Sequence, residues 1–287
     1  MKIPEPISKG RSKWGEGPVW HNGFLFHVDI HSHQVVKLDP ASGEEIRWNV
    51  GEEVGFAIPC QSGRLLCGGD NGFFFLDPNS GSVTPITDPE PNLPKNRLND
   101  GKCAPDGRLF GGSIARDKVK GAARLYRLDP DLKCSEAYGP VTNSNGLAWS
   151  ADGKTLFYID SPSKEVKAFT YDSESGALTN PKVVIDTSSE DSTPDGMCID
   201  NDDHLWIAFC HGSHIARYNP KTGEEVERIE FPAFETTSCA FGGPNGNDLY
   251  VTTGIASGRD EEFGGFVFVI RNLPVGGPPS ILFEDAS

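Results

Sequence analysis

Glu16, Asp100, Asn145 and Asp195 are the residues whose types and spacing could do chemistry together. Each stands immediately before a Gly that opens a short apolar run. The four runs are Gly17-Pro18-Val19-Trp20, Gly101-Lys102-Cys103-Ala104, Gly146-Leu147-Ala148-Trp149 and Gly196-Met197-Cys198-Ile199. Two further runs, Gly55-Phe56-Ala57-Ile58 and Ser238-Cys239-Ala240-Phe241, follow Val54 and Thr237. Carboxylates brought to one point repel each other unless a cation sits between them. A set of Asp, Glu and Asn without His or Cys suits a hard divalent ion. Ca2+ fits it best, with Mg2+, Mn2+ and Zn2+ as alternatives.

Each of these residues also has a plainer reading. Pro194-Asp195-Gly196 is ordinary turn chemistry, Glu16 lies in a Gly-Glu-Gly-Pro turn, and Asn145 before Gly146 could be a left-handed turn residue. Register separates them from Pro105-Asp106-Gly107 and Ala151-Asp152-Gly153, which divide one strand from the next. Asp195, Asn145 and Glu16 precede a strand pair instead. Asp100 is open: an acid behind the ligands and alternative base, or a channel residue holding Lys102 or Arg97.

The elements that must position these residues repeat as well. Downstream of each opening comes an apolar strand and an Asp-Pro or Asp-Ser turn, as in Leu38-Asp39-Pro40-Ala41-Ser42-Gly43 and Leu76-Asp77-Pro78-Asn79-Ser80-Gly81. Leu128-Asp129-Pro130, Tyr171-Asp172-Ser173 and Tyr218-Asn219-Pro220 continue the series, and Arg271-Asn272-Leu273-Pro274 is a degenerate sixth copy. A period of about 40–50 residues holding two hairpins is the mark of propeller blades. The expected fold is all-β: one six-bladed β-propeller domain over residues 1–287, with four antiparallel strands per blade around a central channel. Residues 1–13 are expected to add an outer strand to the sixth blade and close the ring. The first strand of each blade lines the channel, so Glu16, Asp100, Asn145 and Asp195 should meet at one mouth.

Composition narrows the function classes. A net charge of −15 argues against a nucleic-acid partner, and no apolar run has the length of a membrane span. Seven Cys without a CxxC pair suggest neither a zinc module nor a disulfide framework. Reduced thiols and a first segment without an apolar signal core point to the cytoplasm; monomer and dimer are both open. His27, His31 and His33 read as a polar turn. No Gly-x-Ser-x-Gly elbow or phosphate-binding Gly loop is present.

The segments Gly15-Glu16-Gly17-Pro18-Val19-Trp20, Arg97-Leu98-Asn99-Asp100-Gly101-Lys102, Ser144-Asn145-Gly146-Leu147-Ala148-Trp149-Ser150, Pro194-Asp195-Gly196-Met197-Cys198 and Thr236-Thr237-Ser238-Cys239-Ala240-Phe241-Gly242-Gly243 run in one order along the chain. Together they resemble the SMP-30/gluconolactonase (regucalcin-like) family. The resemblance implies hydrolysis of a sugar lactone with one divalent metal. It implies Glu16, Asn145 and Asp195 as metal ligands, Asp195 also as the catalytic acid/base, and Arg97 and Asn99 as substrate contacts. Where animal members place a further substrate-contacting acid, this chain reads Arg116-Asp117-Lys118-Val119-Lys120-Gly121, which leaves the sugar preference open. The alternatives are a phosphotriesterase-type hydrolase on the same site and a non-catalytic calcium-binding propeller.

Overall fold

Apolar runs such as Leu205-Trp206-Ile207-Ala208-Phe209 do not alternate with polar residues, so both faces of their sheet must be covered. A computed structural model, which describes residues 3–285, shows how. Six four-stranded antiparallel sheets stand side by side as the blades of a β-propeller, and each sheet is sandwiched between two others. The inner strands are Gly15–His21, Val54–Pro59, Asn96–Cys103, Ser144–Trp149, Thr193–Ile199 and Glu235–Gly242. Inner and second strands are buried almost throughout, while outer strands such as Val83–Thr87 and Glu225–Glu230 are half exposed. Two short 3-10 turns, Ile30–Ser32 and Ser161–Ser163, are the helical elements among the described residues.

Large side chains fill the gaps between blades. Trp206 of blade five meets Phe241 of blade six edge-on at 6.0 Å, and Phe110 of blade three meets Trp149 of blade four at 5.5 Å. The repeated Asp-Pro turns close the outer hairpins: Asp39 Oδ1 accepts the Ala41 N–H at 2.9 Å, and Asp77 Oδ1 that of Asn79 at 2.8 Å.

The sixth copy has no outer strand of its own. Glu5–Pro6 supplies it, pairing antiparallel with Phe268 and Val269, as expected for the segment before the first blade. The chain then leaves blade six as a strap. Asn201 N–H bonds to Gly276 O at 2.8 Å, and Phe283 N–H to Pro59 O at 3.0 Å. Phe283 is fully buried beside Phe75, and Asp285 accepts from Ser62 and Arg64 of blade two.

The three histidines do not form one polar turn. His27 lies inside the strand Phe24–Asp29 and is completely buried, whereas His31 and His33 are in the turn that follows. Burial drives the His27 pKa down to about 4, so this side chain is a neutral core residue. All seven cysteines are free. No helix among the described residues is long and apolar enough to cross a membrane.

Candidate metal and catalytic site

Every inner strand bulges where the repeat places its key residue. Pairing to the second strand slips between Glu16 and Val19, Val54 and Phe56, and Leu98 and Asp100. It slips again between Asn145 and Leu147, Pro194 and Met197, and Thr236 and Ser238. The repeat suggested that these residues precede their strands. They lie within them, because a bulge inserts an extra residue and pairing resumes beyond it. The Gly that follows lets inner strands approach closely. Gly146 has φ +36°, and a Cβ there would stand 2.8 Å from the carbonyl oxygen of Asp195. A Cβ on Gly196 would collide with Ser238 Oγ.

Glu16, Asp100, Asn145 and Asp195 are all buried, 3–8% exposed. Glu16, Asp100 and Asp195 come from blades one, three and five, yet each lies in the electrostatic reach of another. Burial, reinforced by Asp195 and Asp100, holds the Glu16 carboxyl well above the usual range. Burial, with the charges of Asp100 and Glu235 added, pushes Asp195 up to about 7 against the pull of Cys210 and Arg97. Burial raises Asp100 too, opposed by Lys102 and by backbone N–H groups of Gly101 and Gly146.

Each expected ligand is anchored through part of its side chain. Glu16 Oε2 accepts the Gly17 N–H at 2.6 Å. Asn145 Nδ2 donates to Ser161 Oγ at 2.8 Å, and Ser161 donates in turn to Pro194 O at 2.7 Å, tying blade four to blade five. Asp195 Oδ2 accepts from Cys210 Sγ at 2.7 Å. Two buried carboxylates and an amide oxygen are a donor set of the kind that suits a divalent cation, and burial with mutual repulsion holds both acids above their usual range. Among the described residues no three His, Cys, Asp or Glu side chains gather as a metal-binding group. The expected trio has two of those types and takes its third donor from an amide.

Arg97 and Asn99 join the same structure. Arg97 Nη2 donates to Asn99 Oδ1 at 3.0 Å, and Asn99 Nδ2 to Asn145 Oδ1 and Ser144 O at 2.9 Å each. Asn99 thereby orients Asn145. Arg97 Nε lies 3.4 Å from Glu53 Oε2, and the same oxygen takes Arg116 Nη1 at 2.9 Å. Arg116 thus shares the Glu53 carboxylate with Arg97 and also pairs with Asp70 Oδ1 at 2.9 Å.

Cys210, Glu235, Ser161 and Glu53 escaped the sequence reading. Cys210 ends the second strand of blade five, Leu205–Cys210, where other blades end in Asp29, Gly69, Ala115, Asp160 or Gly254. No repeated residue type marks that place. Glu235 lies two residues before Thr237 and binds the exposed His211 through both its backbone N–H and its ring, at 2.9 and 2.8 Å.

Residues 14–255 match the SMP-30/Gluconolactonase/LRE-like region. The chain belongs to this family. It is 36% identical to regucalcin from Gallus gallus over 293 residues, covering 97% of each chain. Among solved structures it is similar to a luciferin-regenerating enzyme, with a TM-score of 0.93, 29% identity and coverage of 99% and 100% of the two chains. It is also similar to Agrobacterium tumefaciens regucalcin, described as a calcium-binding protein, with a TM-score of 0.92, 25% identity and coverage of 98% and 97%. Within the SMP-30/gluconolactonase/LRE-like family, the bulged inner strands are the frame on which the acids of this chain are carried.

Proposed function

We propose that the chain is a metal-dependent lactonase, opening sugar lactones such as glucono-1,5-lactone to the aldonic acid. The observations that support this reading are that Glu16, Asn145 and Asp195, from blades one, four and five, are all buried, that Glu16 lies in the electrostatic reach of Asp195, and that Asn145 is tied through Ser161 to Pro194 O. The gluconolactonase in the family description supports the choice of substrate class. Glu16, Asn145 and Asp195 would hold the ion. A divalent cation bound there would polarise the ester carbonyl and steady the oxyanion.

Asp195 takes the proton from the attacking water as its oxygen bonds to the carbonyl carbon. It returns that proton to the ring oxygen as the ring C–O bond breaks, giving the hydroxy acid and restoring the carboxylate. Cys210 holds Oδ2 of Asp195, which leaves Oδ1 for the proton. Asp100 is the poorer base, because two backbone N–H groups stabilise its carboxylate. Two carboxylates offset a doubly charged ion, so the site is matched to a neutral lactone. Arg97 and Asn99 stand beside it for the sugar hydroxyls.

The test is acid release from a panel of aldonolactones after chelation and single-metal add-back, with Asp195→Ala and Glu16→Ala alongside. Stripped protein and both variants should lose turnover, and one cation should restore the wild type. Full activity after chelation, or an unimpaired Asp195→Ala, overturns the proposal. Faster turnover of a fluorophosphate than of any lactone would assign the same site to phosphotriesters.

A further inference from the structure

The other mouth of the channel holds a cavity of about 220 Å³. All six inner strands contribute to its wall, through residues two to four places beyond the bulge: Val19, Ile58, Lys102, Ala148, Ile199 and Phe241. The strap at Pro278–Ile281 roofs one side. Walls of this kind would strip a polyhydroxylated lactone of its water without replacing the hydrogen bonds. The cavity is therefore not a back entrance for the sugar.

Its volume and charge define what it would accept. A cavity of about 150 Å³ lined by aliphatic and aromatic side chains takes benzene, so this one has room for a fused ring pair. Lys102 is the one charged residue among those lining it. Its ammonium donates to Met197 O at 3.0 Å and faces the Asp100 carboxyl electrostatically, and an ammonium carries three N–H groups, enough for a further acceptor from the chamber. An apolar chamber with one polar group fixing orientation is the usual form of a small-molecule site.

We propose that this mouth is a second binding site, for a compact aromatic monocarboxylate whose rings fill the chamber and whose carboxylate pairs with Lys102. None of the residues expected to bind metal or sugar lines the chamber; Lys102 touches the lactonase reading only through its charge on Asp100.

Calorimetric titration of the full chain with 1-naphthoate, in chelated and metal-loaded forms, tests it. One naphthoate should bind per chain in both forms, at least tenfold tighter than the neutral naphthalene-1-carboxamide, with a change in Trp149 fluorescence. Lys102→Met should abolish the preference for the acid and leave carboxamide binding in place. Ala151→Trp, at an exposed turn on the rim, should block both ligands. Equal affinity for acid and amide in the wild type overturns the proposal, as does naphthoate binding that survives Ala151→Trp. Absence of binding, competition by glucono-1,5-lactone, or a second copy of the chain covering this mouth in sedimentation would also overturn it. Should Lys102→Met not fold, the acid–amide comparison and Ala151→Trp still decide.

Discussion

The Cys210 thiol, 2.7 Å from Asp195 Oδ2, gives a residue-scale handle on the proposed base that leaves the expected ligands untouched. Removing one hydrogen bond to a carboxylate costs about 1.5–3 kcal/mol. Cys210→Ala should accordingly move the acid limb of the kcat–pH profile upward by about one pH unit or more, and Cys210→Ser, which keeps a donor, should reverse most of that shift. Asp195→Asn goes further. It keeps the shape but cannot accept the proton, and loss of general-base catalysis is expected to cost about 10²–10⁴ in kcat. Cys210 was not legible beforehand, because the copies differ at the ends of their second strands; Glu235 was not, because it opens the inner strand of blade six two residues ahead of the repeated slot at Thr237. Arg97 and Asn99 were legible only through the family resemblance, as expected substrate contacts. That Asn99 points its amide at Asn145 depends on packing between blades three and four, which residue order does not encode.

At the scale of elements, the bulge and its glycine form one device. The bulge re-aims the side chain, and the absent Cβ lets the next inner strand come close. Gly196→Ala forces a methyl group onto Ser238 Oγ, an overpacking expected to cost about 1–3 kcal/mol. Urea denaturation should show that loss, and Ser238→Gly should relieve part of it. The strap makes a comparable prediction. Phe283 is fully buried against blade two, so Phe283→Ala should lower stability by about 3–5 kcal/mol in the same assay. Blade number, strand order and the borrowed outer strand were readable because turn signals and apolar runs recur with a fixed period. The bulges were not. A bulge changes pairing by one residue and leaves composition unchanged, so the acids were expected ahead of strands that in fact run through them.

For the whole molecule, the buried acids set how stability responds to pH. In the chelated protein Asp195 holds its proton up to about 7, and Glu16 and Asp100 are raised as well. The unfolded chain releases those protons near pH 4. Across the window from about 4 to about 7 the native state binds more protons, so its stability must fall as pH rises. His27 acts in the opposite sense. Its pKa is lowered to about 4, so stability is lost as pH drops below about 6.5, where the unfolded imidazole charges. A divalent cation that binds only the native, deprotonated site stabilises by mass action. The melting temperature should thus decline from pH 6 to pH 7 after chelation, and the added ion should raise it more at pH 8 than at pH 5. Equal shifts at both pH values would place the ion elsewhere.

The borrowed strand sets an order of events during synthesis. Glu5 and Pro6 emerge from the ribosome long before their partners Val269 and Phe268, so the earliest segment must wait, unpaired, until nearly the last one appears. The strap then fastens to blade two, made early, only after blade six has left the exit tunnel. A ribosome stalled before Phe268 and Val269 have emerged would hold an open arc of blades with two raw edges, ready to stick to its neighbours on the same message.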